Sequence, residues 1–223
     1  MPTQALPEQT LRDQMVSQQV RTWDVLDTRV LETLRRLPRE RFVPPLYHDA
    51  AFADAEIPLG HGEHMLAPKI VGRILQALEL GPRDAVLEVG TGSGYLTAAM
   101  AQQCARVRSI DRHEDFIAAA RPRISALGLG AVELAVGDAF VASDLGAGSW
   151  DAVVLTGSLP VYDPRFEQRL AVGGRLFVTV GSAPVMQACI VRRVSATEWV
   201  RNDVFETVLA PLVGAAQPPR FRF

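Results

Sequence analysis

Glu88-Val89-Gly90-Thr91-Gly92-Ser93-Gly94-Tyr95 is the stretch on which the fold turns. It follows a short apolar run, Ala85 to Val89, and leads into a helical pattern starting at Tyr95, so it reads as strand, tight turn, helix. Glycines at alternate positions let the backbone turn sharply and come close to a ligand, because no side chain intervenes. A nicotinamide fingerprint, Gly-x-Gly-x-x-Gly, would place glycine at Tyr95. Here the spacing is Gly-x-Gly-x-Gly behind an acidic residue, which points to S-adenosylmethionine. That molecule has a sulfonium, an amino-acid end, a ribose diol and an adenine, and no pyrophosphate for a helix terminus to hold. The expected cofactor contacts in this stretch are Glu88, Gly90, Thr91, Gly92, Gly94 and Tyr95.

Moving outward, Asp111 closes the next apolar run, Val107 to Ile110, about twenty residues beyond the loop, where a carboxylate can accept both ribose hydroxyls. Arg112 sits beside it. Asp138, in Gly137-Asp138-Ala139, ends the run Val132 to Val136; its carboxylate can accept from the adenine amino group while a backbone N–H near Ala139 faces the ring. Aspartates at strand ends are common in any α/β fold, and it is their order and spacing after the loop that make the argument. Ala152 to Leu155 and Leu176 to Val180 complete a series of short apolar strands separated by segments long enough for crossover helices. Cys189 to Val194 and Val204 to Leu212 read as two more strands with no helix between them, hence an antiparallel edge. The expected class is α/β: a doubly wound, mostly parallel, seven-stranded Rossmann-like sheet. Pro122, inside the helix expected over 114–127, should kink or divide it.

Before the loop, apolar residues fall at helical spacing from Leu11 to Leu37, clearest at Leu26, Val30, Leu31, Leu34 and Leu37, with Asp27 as cap and Pro38 as stop. Prolines and glycines punctuate a connecting loop up to Pro68, which opens a helix burying Ile70, Val71, Ile74, Leu75 and Leu78 and ending at Gly81-Pro82. The chain divides as an N-terminal helical extension and substrate loop (1–68), a cofactor-binding core (69–183) and C-terminal strands completing the sheet (184–223). A net charge of −2 provides no basic field for nucleic acid. No run of eighteen apolar residues or signal-like N-terminus is present, so neither membrane insertion nor export is expected and the cytoplasm is the expected location. Cys104 and Cys189 match no metal or redox spacing and read as free thiols. His61 and His64 lack a matched further ligand, so no metal is expected; they read equally as exposed loop histidines. Trp23, Trp150 and Trp199 read as packing.

The chain resembles the protein-L-isoaspartate O-methyltransferase family. The resemblance is carried by Met15-Val16-Ser17-Gln18-Gln19-Val20-Arg21, Arg29-Val30-Leu31-Glu32, Leu37-Pro38-Arg39-Glu40-Arg41-Phe42-Val43-Pro44, Ala67-Pro68, Val86 to Tyr95, Gly137-Asp138 and Leu170 to Leu176. It implies a class I methyltransferase sheet and methylation of the free carboxylate of isoaspartyl residues in damaged proteins or peptides. Where the family usually reads like Gly-x-Gly-Gln-Thr-Ile-Ser-x-Pro, this chain has Gly60-His61-Gly62-Glu63-His64-Met65-Leu66-Ala67-Pro68. His64 replaces the threonine and Leu66 the serine. Thr156-Gly157-Ser158 likewise replaces an alanine-rich stretch. The expected acceptor-side residues are therefore His64, Leu66 and Ser158, with Thr156 second to them. A carboxylate acceptor needs no general base, whereas a hydroxyl or other small-molecule acceptor would gain from His64. A catalytically silent S-adenosylmethionine-binding adaptor is a further reading, and Tyr95 argues against a nucleotide-dependent oxidoreductase. Either a monomer or a homodimer is compatible with the sequence.

Overall fold

The structure is a computed structural model and describes residues 6–219. At its centre, β3 (Ala85–Val89) is buried along its whole length, as a parallel strand covered on both faces must be. It pairs in parallel with β4 (Arg106–Asp111) on one side and β6 (Trp150–Leu159) on the other. Beyond β4 lies β5 (Ala131–Val136), and beyond β6 come β7 (Leu170–Ser182), β8 (Val185–Arg193) and β9 (Trp199–Glu206). The order β5-β4-β3-β6-β7-β8-β9 is parallel through β7, and the β7–β8 and β8–β9 pairs are antiparallel. This is the expected Rossmann-like sheet. The chain winds outward from β3 to β5 and then returns to β6, so a crevice opens beyond the carboxyl ends at β3, where winding reverses.

Helix α3 (Pro68–Leu78) buries the five predicted residues. It ends at Glu79, in a left-handed conformation (φ 48°), just before Gly81-Pro82. The loop leads into α4 (Tyr95–Ala101), and α5 (Glu114–Ser125) follows β4. The expected break at Pro122 does not occur. Pro122 lies in the last turn, the carbonyl it deprives belongs to the exposed Ala118, and the ladder resumes with Ala126 N donating to Pro122 O at 3.0 Å. The crossover over residues 137–149 has no helix and that over 160–169 only the single turn Glu167–Arg169, where full helices were expected.

The helical stretch predicted over Leu11 to Leu37 is interrupted. Helix α1 (Glu8–Met15) runs into a widened turn, Val16–Val20, and a tight one, Arg21–Trp23, before Asp24 reverses to φ 58°. Helix α2 (Thr28–Arg36) then starts afresh, capped as predicted by Asp27, which accepts from Arg29 N at 2.8 Å. Leu26 falls in the break and is 68% exposed, so it does not belong to the buried face of Val30, Leu31, Leu34 and Leu37. The connecting loop contains an antiparallel hairpin missed by periodicity, β1 (Ile57–Gly60) and β2 (Glu63–Met65). The second edge strand also sits earlier than expected. Beyond β9 the chain leaves the sheet as a strap across β6, with Ser158 N donating to Ala210 O at 2.8 Å and Leu212 N to Ser158 O at 2.9 Å.

Val16, Val20, Leu34 and Phe42 share one apolar core with Ile74, Leu75 and Met100 of α3 and α4. Their approach is close: a Cβ on Gly72 would meet Val20 Cγ1 at 2.7 Å. No helix among the described residues is long and apolar enough to cross a membrane. A buried ion pair, Arg12 Nη2 to Glu40 Oε1 at 2.6 Å with side chains 8% and 4% exposed, ties α1 to the turn after α2. Removing one partner strands the other in a dry site, at about 3–5 kcal/mol. Glu40→Ala should therefore lower the free energy of unfolding in urea by roughly that amount; a loss of under about 1 kcal/mol, typical of exposed pairs, would show that the site is wet.

Candidate functional site

The crevice beyond the carboxyl ends of β3, β4, β5 and β6 is the main cleft, enclosing about 840 Å³ with its open mouth included. Its floor is the glycine loop. Gly90, Gly92 and Gly94 adopt φ of 96°, 50° and 84°, a region that disfavours side chains. At Gly90 the constraint is also one of contact, since a Cβ would lie 2.0 Å from Thr156 Oγ1. Gly90 N donates to Ile110 O at 2.8 Å, joining the loop to the end of β4.

Asp111 fixes the loop's other side. Its Oδ2 accepts from Gly92 N and its Oδ1 from His113 N, both at 2.9 Å, and the side chain is nearly buried while lining the cleft. Each carboxylate oxygen keeps a lone pair for a ligand. Asp138 is set similarly, its Oδ1 accepting from Phe140 N at 2.8 Å and its own N–H donating to Asp144 Oδ2 at 2.9 Å. Arg112, Ala139, Ile110 and Phe116 complete this end with charge at the rim and apolar walls.

Glu88 lies beneath the loop, fully buried. Its Oε2 accepts from Ser109 Oγ at 2.6 Å and from Thr97 Oγ1, and Thr91 Oγ1 lies 2.6 Å from Ser109 Oγ, so with Ser109 donating to Glu88 the Thr91 hydroxyl must be that bond's donor. Oε1 has no partner. Burial pushes the carboxyl up to about 8, against the lowering effect of the two hydroxyls. Glu88 and Thr91 border a smaller recess, which opens alongside the cleft and shares His64, Leu66, Gly90, Gly92 and Thr156 with it.

Several predicted residues fall elsewhere. Tyr95 opens α4, but its ring is buried edge-on to Phe42 at 5.5 Å, with the Arg39 guanidinium 4.9 Å from its centroid. It borders the small recess and packs against the N-terminal extension, away from the main cleft. Ser158 is 1% exposed and donates to Leu209 O at 3.0 Å, its hydroxyl spent on the C-terminal strap. A register shift in β6 between Val154 and Ser158 separates it from the cleft, and Thr156 lines the cleft instead. Thr156 Oγ1 donates to the carbonyls of Val89 and Gly90, at 3.0 and 2.9 Å.

His64 is exposed on β2 and Leu66 half-buried just after it, and both line the cleft and the recess. The buried Arg39 holds this segment, donating through Nη2 to Leu66 O at 2.9 Å and through Nε to Ala51 O at 3.0 Å. His61 turns away from His64 toward α5. Other lining residues were not singled out from the sequence: Glu56 just before the hairpin, Leu59 and Glu63 on it, Phe116 on α5 and the strap from Leu209 to Val213. The double glycine around His61 signalled the hairpin turn; the strap carried no local signal.

Residues 10–217 match the profile of the protein-L-isoaspartate(D-aspartate) O-methyltransferase family. The chain belongs to that family. It is 36% identical over 203 residues to the protein-L-isoaspartate O-methyltransferase of Koribacter versatilis, covering 91% of this chain and 90% of that one. It is 34% identical over 213 residues to that of a Synechococcus strain, covering 93% and 87%. A Plasmodium falciparum protein described as a protein-L-isoaspartate O-methyltransferase, solved with S-adenosyl-L-homocysteine, superposes with a TM-score of 0.76 over 90% of this chain and 97% of its own. At 17% identity that likeness speaks for the fold.

Two measurements check this geometry. Gly90→Ala, which drives a methyl into Thr156 and the cleft floor, should abolish the rise in melting temperature that S-adenosylhomocysteine gives the unaltered protein; a retained rise would show that the loop is not the floor. For Glu88, the unfolded chain ionises near 4.5 while the folded one holds its proton to about 8. Between those values the unfolded state releases a proton that the folded state keeps, so stability falls as pH rises through the window. Glu88→Gln removes this contribution, and its unfolding free energy should fall less than wild type's over that range; parallel curves would contradict the assignment.

Proposed function

We propose that this chain transfers a methyl group from S-adenosylmethionine to the free carboxylate of isoaspartyl residues in damaged proteins or peptides. One observation carries the reading: the cleft has two chemically distinct ends that meet over Gly90 and Gly92. At one end stand Asp111, Asp138 and the walls Ile110, Phe116 and Ala139; at the other, the hairpin brings His64 and Leu66 to the junction with the recess. The first end fits the cofactor. Its floor would be filled by a single Cβ at Gly90, and its two carboxylates match a diol and an exocyclic amine. When bound, the cofactor supplies a methyl carbon made electrophilic by the sulfonium.

The residues at the other end orient and desolvate the acceptor. An isoaspartyl carboxylate is ionised at neutral pH, so no side chain need remove a proton, and positioning dominates; oriented reactants gain on the order of 7–11 kcal/mol. Leu66 excludes water and offers no hydrogen bond. Holding the carboxylate falls to the His64 imidazole and neighbouring backbone N–H groups. The same exchange of hydroxyls for His64 and Leu66 supports a second reading, in which the acceptor is a hydroxyl or another small molecule and His64 serves as base. The extension and hairpin (1–68), the core (69–183) and the C-terminal strands (184–223) serve as acceptor-binding, cofactor-binding and sheet-completing segments. The protein acts in the cytoplasm as a monomer or homodimer.

Purified protein should methylate an isoaspartyl peptide from labelled cofactor and leave the matching aspartyl peptide unmodified. A hydrogen bond to a charged group contributes about 1.5–3 kcal/mol, so His64→Ala should lower kcat/KM by about tenfold or more. No turnover on the isoaspartyl peptide, with turnover on a phenol or alcohol lost in His64→Ala, would replace the first reading by the second.

A further inference from the structure

His61, His113 and Asp115 meet at the edge of the cleft, whose lining includes His113, and the cofactor or acceptor roles described above use none of their side chains. His61 sits at φ 54° in the turn between β1 and β2, flanked by Gly60 and Gly62. His113 immediately precedes α5 and Asp115 lies in its first turn. One potential ligand atom from each residue lies within 4.8 Å of the others, and His61 Nε2 is 3.0 Å from Asp115 Oδ2. The imidazoles are stacked, with centroids 4.1 Å apart and planes at 10°. His113 Nε2 is buried and has no hydrogen-bond partner among the described residues, an arrangement that costs free energy unless a ligand completes it.

We propose that these three side chains bind a divalent transition-metal ion of the zinc class, pinning the β1–β2 turn to the start of α5. Two imidazoles and a carboxylate are a donor set suited to such an ion, with the remaining coordination positions left to water. The ion displaces the proton shared by His61 and Asp115. Imidazole lone pairs lie in the ring plane, so the near-parallel rings cannot reach one ion as they stand, and one of them must turn. His61 is the one free to do so, its side chain being 46% exposed on a turn. The His113 ring is half-buried and packed against Phe116. Glu114 and Asp115, both in the first turn of α5, offset the positive end of the helix dipole that would otherwise oppose a cation. Phe116, whose ring lies 5.5 Å from His61 and 5.1 Å from His113, also lines the cleft, so the ion fixes the hairpin against the cleft wall.

The full chain, stripped of metal with a chelator, is titrated with zinc chloride by calorimetry and with cobalt chloride by visible absorption. One equivalent of either ion should bind with a micromolar dissociation constant, reversibly on adding chelator. His61→Ala and Asp115→Asn, both at exposed positions, should each weaken binding by at least about tenfold, with His113→Ala behaving alike. His48→Ala, at an exposed histidine beside Glu8, should leave binding unchanged. Absence of saturable binding below millimolar metal, or binding that survives both His61→Ala and Asp115→Asn in variants with unaltered circular dichroism, would overturn the proposal.

Discussion

The Asp111 carboxylate organises the cleft. By accepting the N–H groups of Gly92 and His113 it joins the glycine loop, the end of β4 and the start of α5 at one point. Those backbone groups would otherwise be orphans at a nearly buried edge, where an unmet donor costs roughly 1–3 kcal/mol. Gly90 N on Ile110 O adds a second tie between the same loop and strand. With the loop pinned on that side and pressed against Thr156 on the other, its left-handed glycines cannot relax, and the cleft floor is set before any ligand arrives.

Beneath the floor runs a second, wholly buried set of polar groups, from Thr91 through Ser109 to Glu88 and Thr97. It connects the loop to β3, β4 and α4, and a protonated Glu88 suits it, because an ionised carboxylate there would keep an unpartnered oxygen in an apolar site. Above the floor, Arg39 ties the N-terminal extension to the segment after β2 by holding the Leu66 carbonyl. The extension is thus joined to the hairpin through one buried guanidinium, whose Nη1 has no partner among the described residues.

Much of this was legible in the sequence because local rules agreed with the fold. The five apolar runs became parallel strands, Asp27 capped α2, and Asp111 and Asp138 arrived at the cleft from the ends of consecutive strands. What was missed depended on long-range geometry. Pro122 failed to break α5 because its lost bond fell in the last turn beside water. Ser158 left the site because a register shift in β6 turned it to the strap, which no periodicity announces. Tyr95 followed the loop in sequence, yet its ring faces the core, where Phe42 and Arg39 wait for it. The hairpin strands, only four and three residues long, were too short to show an alternation.

The central claim is that one cleft holds the methyl donor between Asp111 and Asp138 and presents the acceptor at His64 and Leu66. A crystal structure of the full chain with S-adenosylhomocysteine and an isoaspartyl peptide tests it most directly. The account predicts the nucleoside between those two carboxylates, over Gly90 and Gly92, and the peptide carboxylate against the hairpin. A nucleoside bound elsewhere, or a peptide that leaves His64 and Leu66 uncovered, would contradict it.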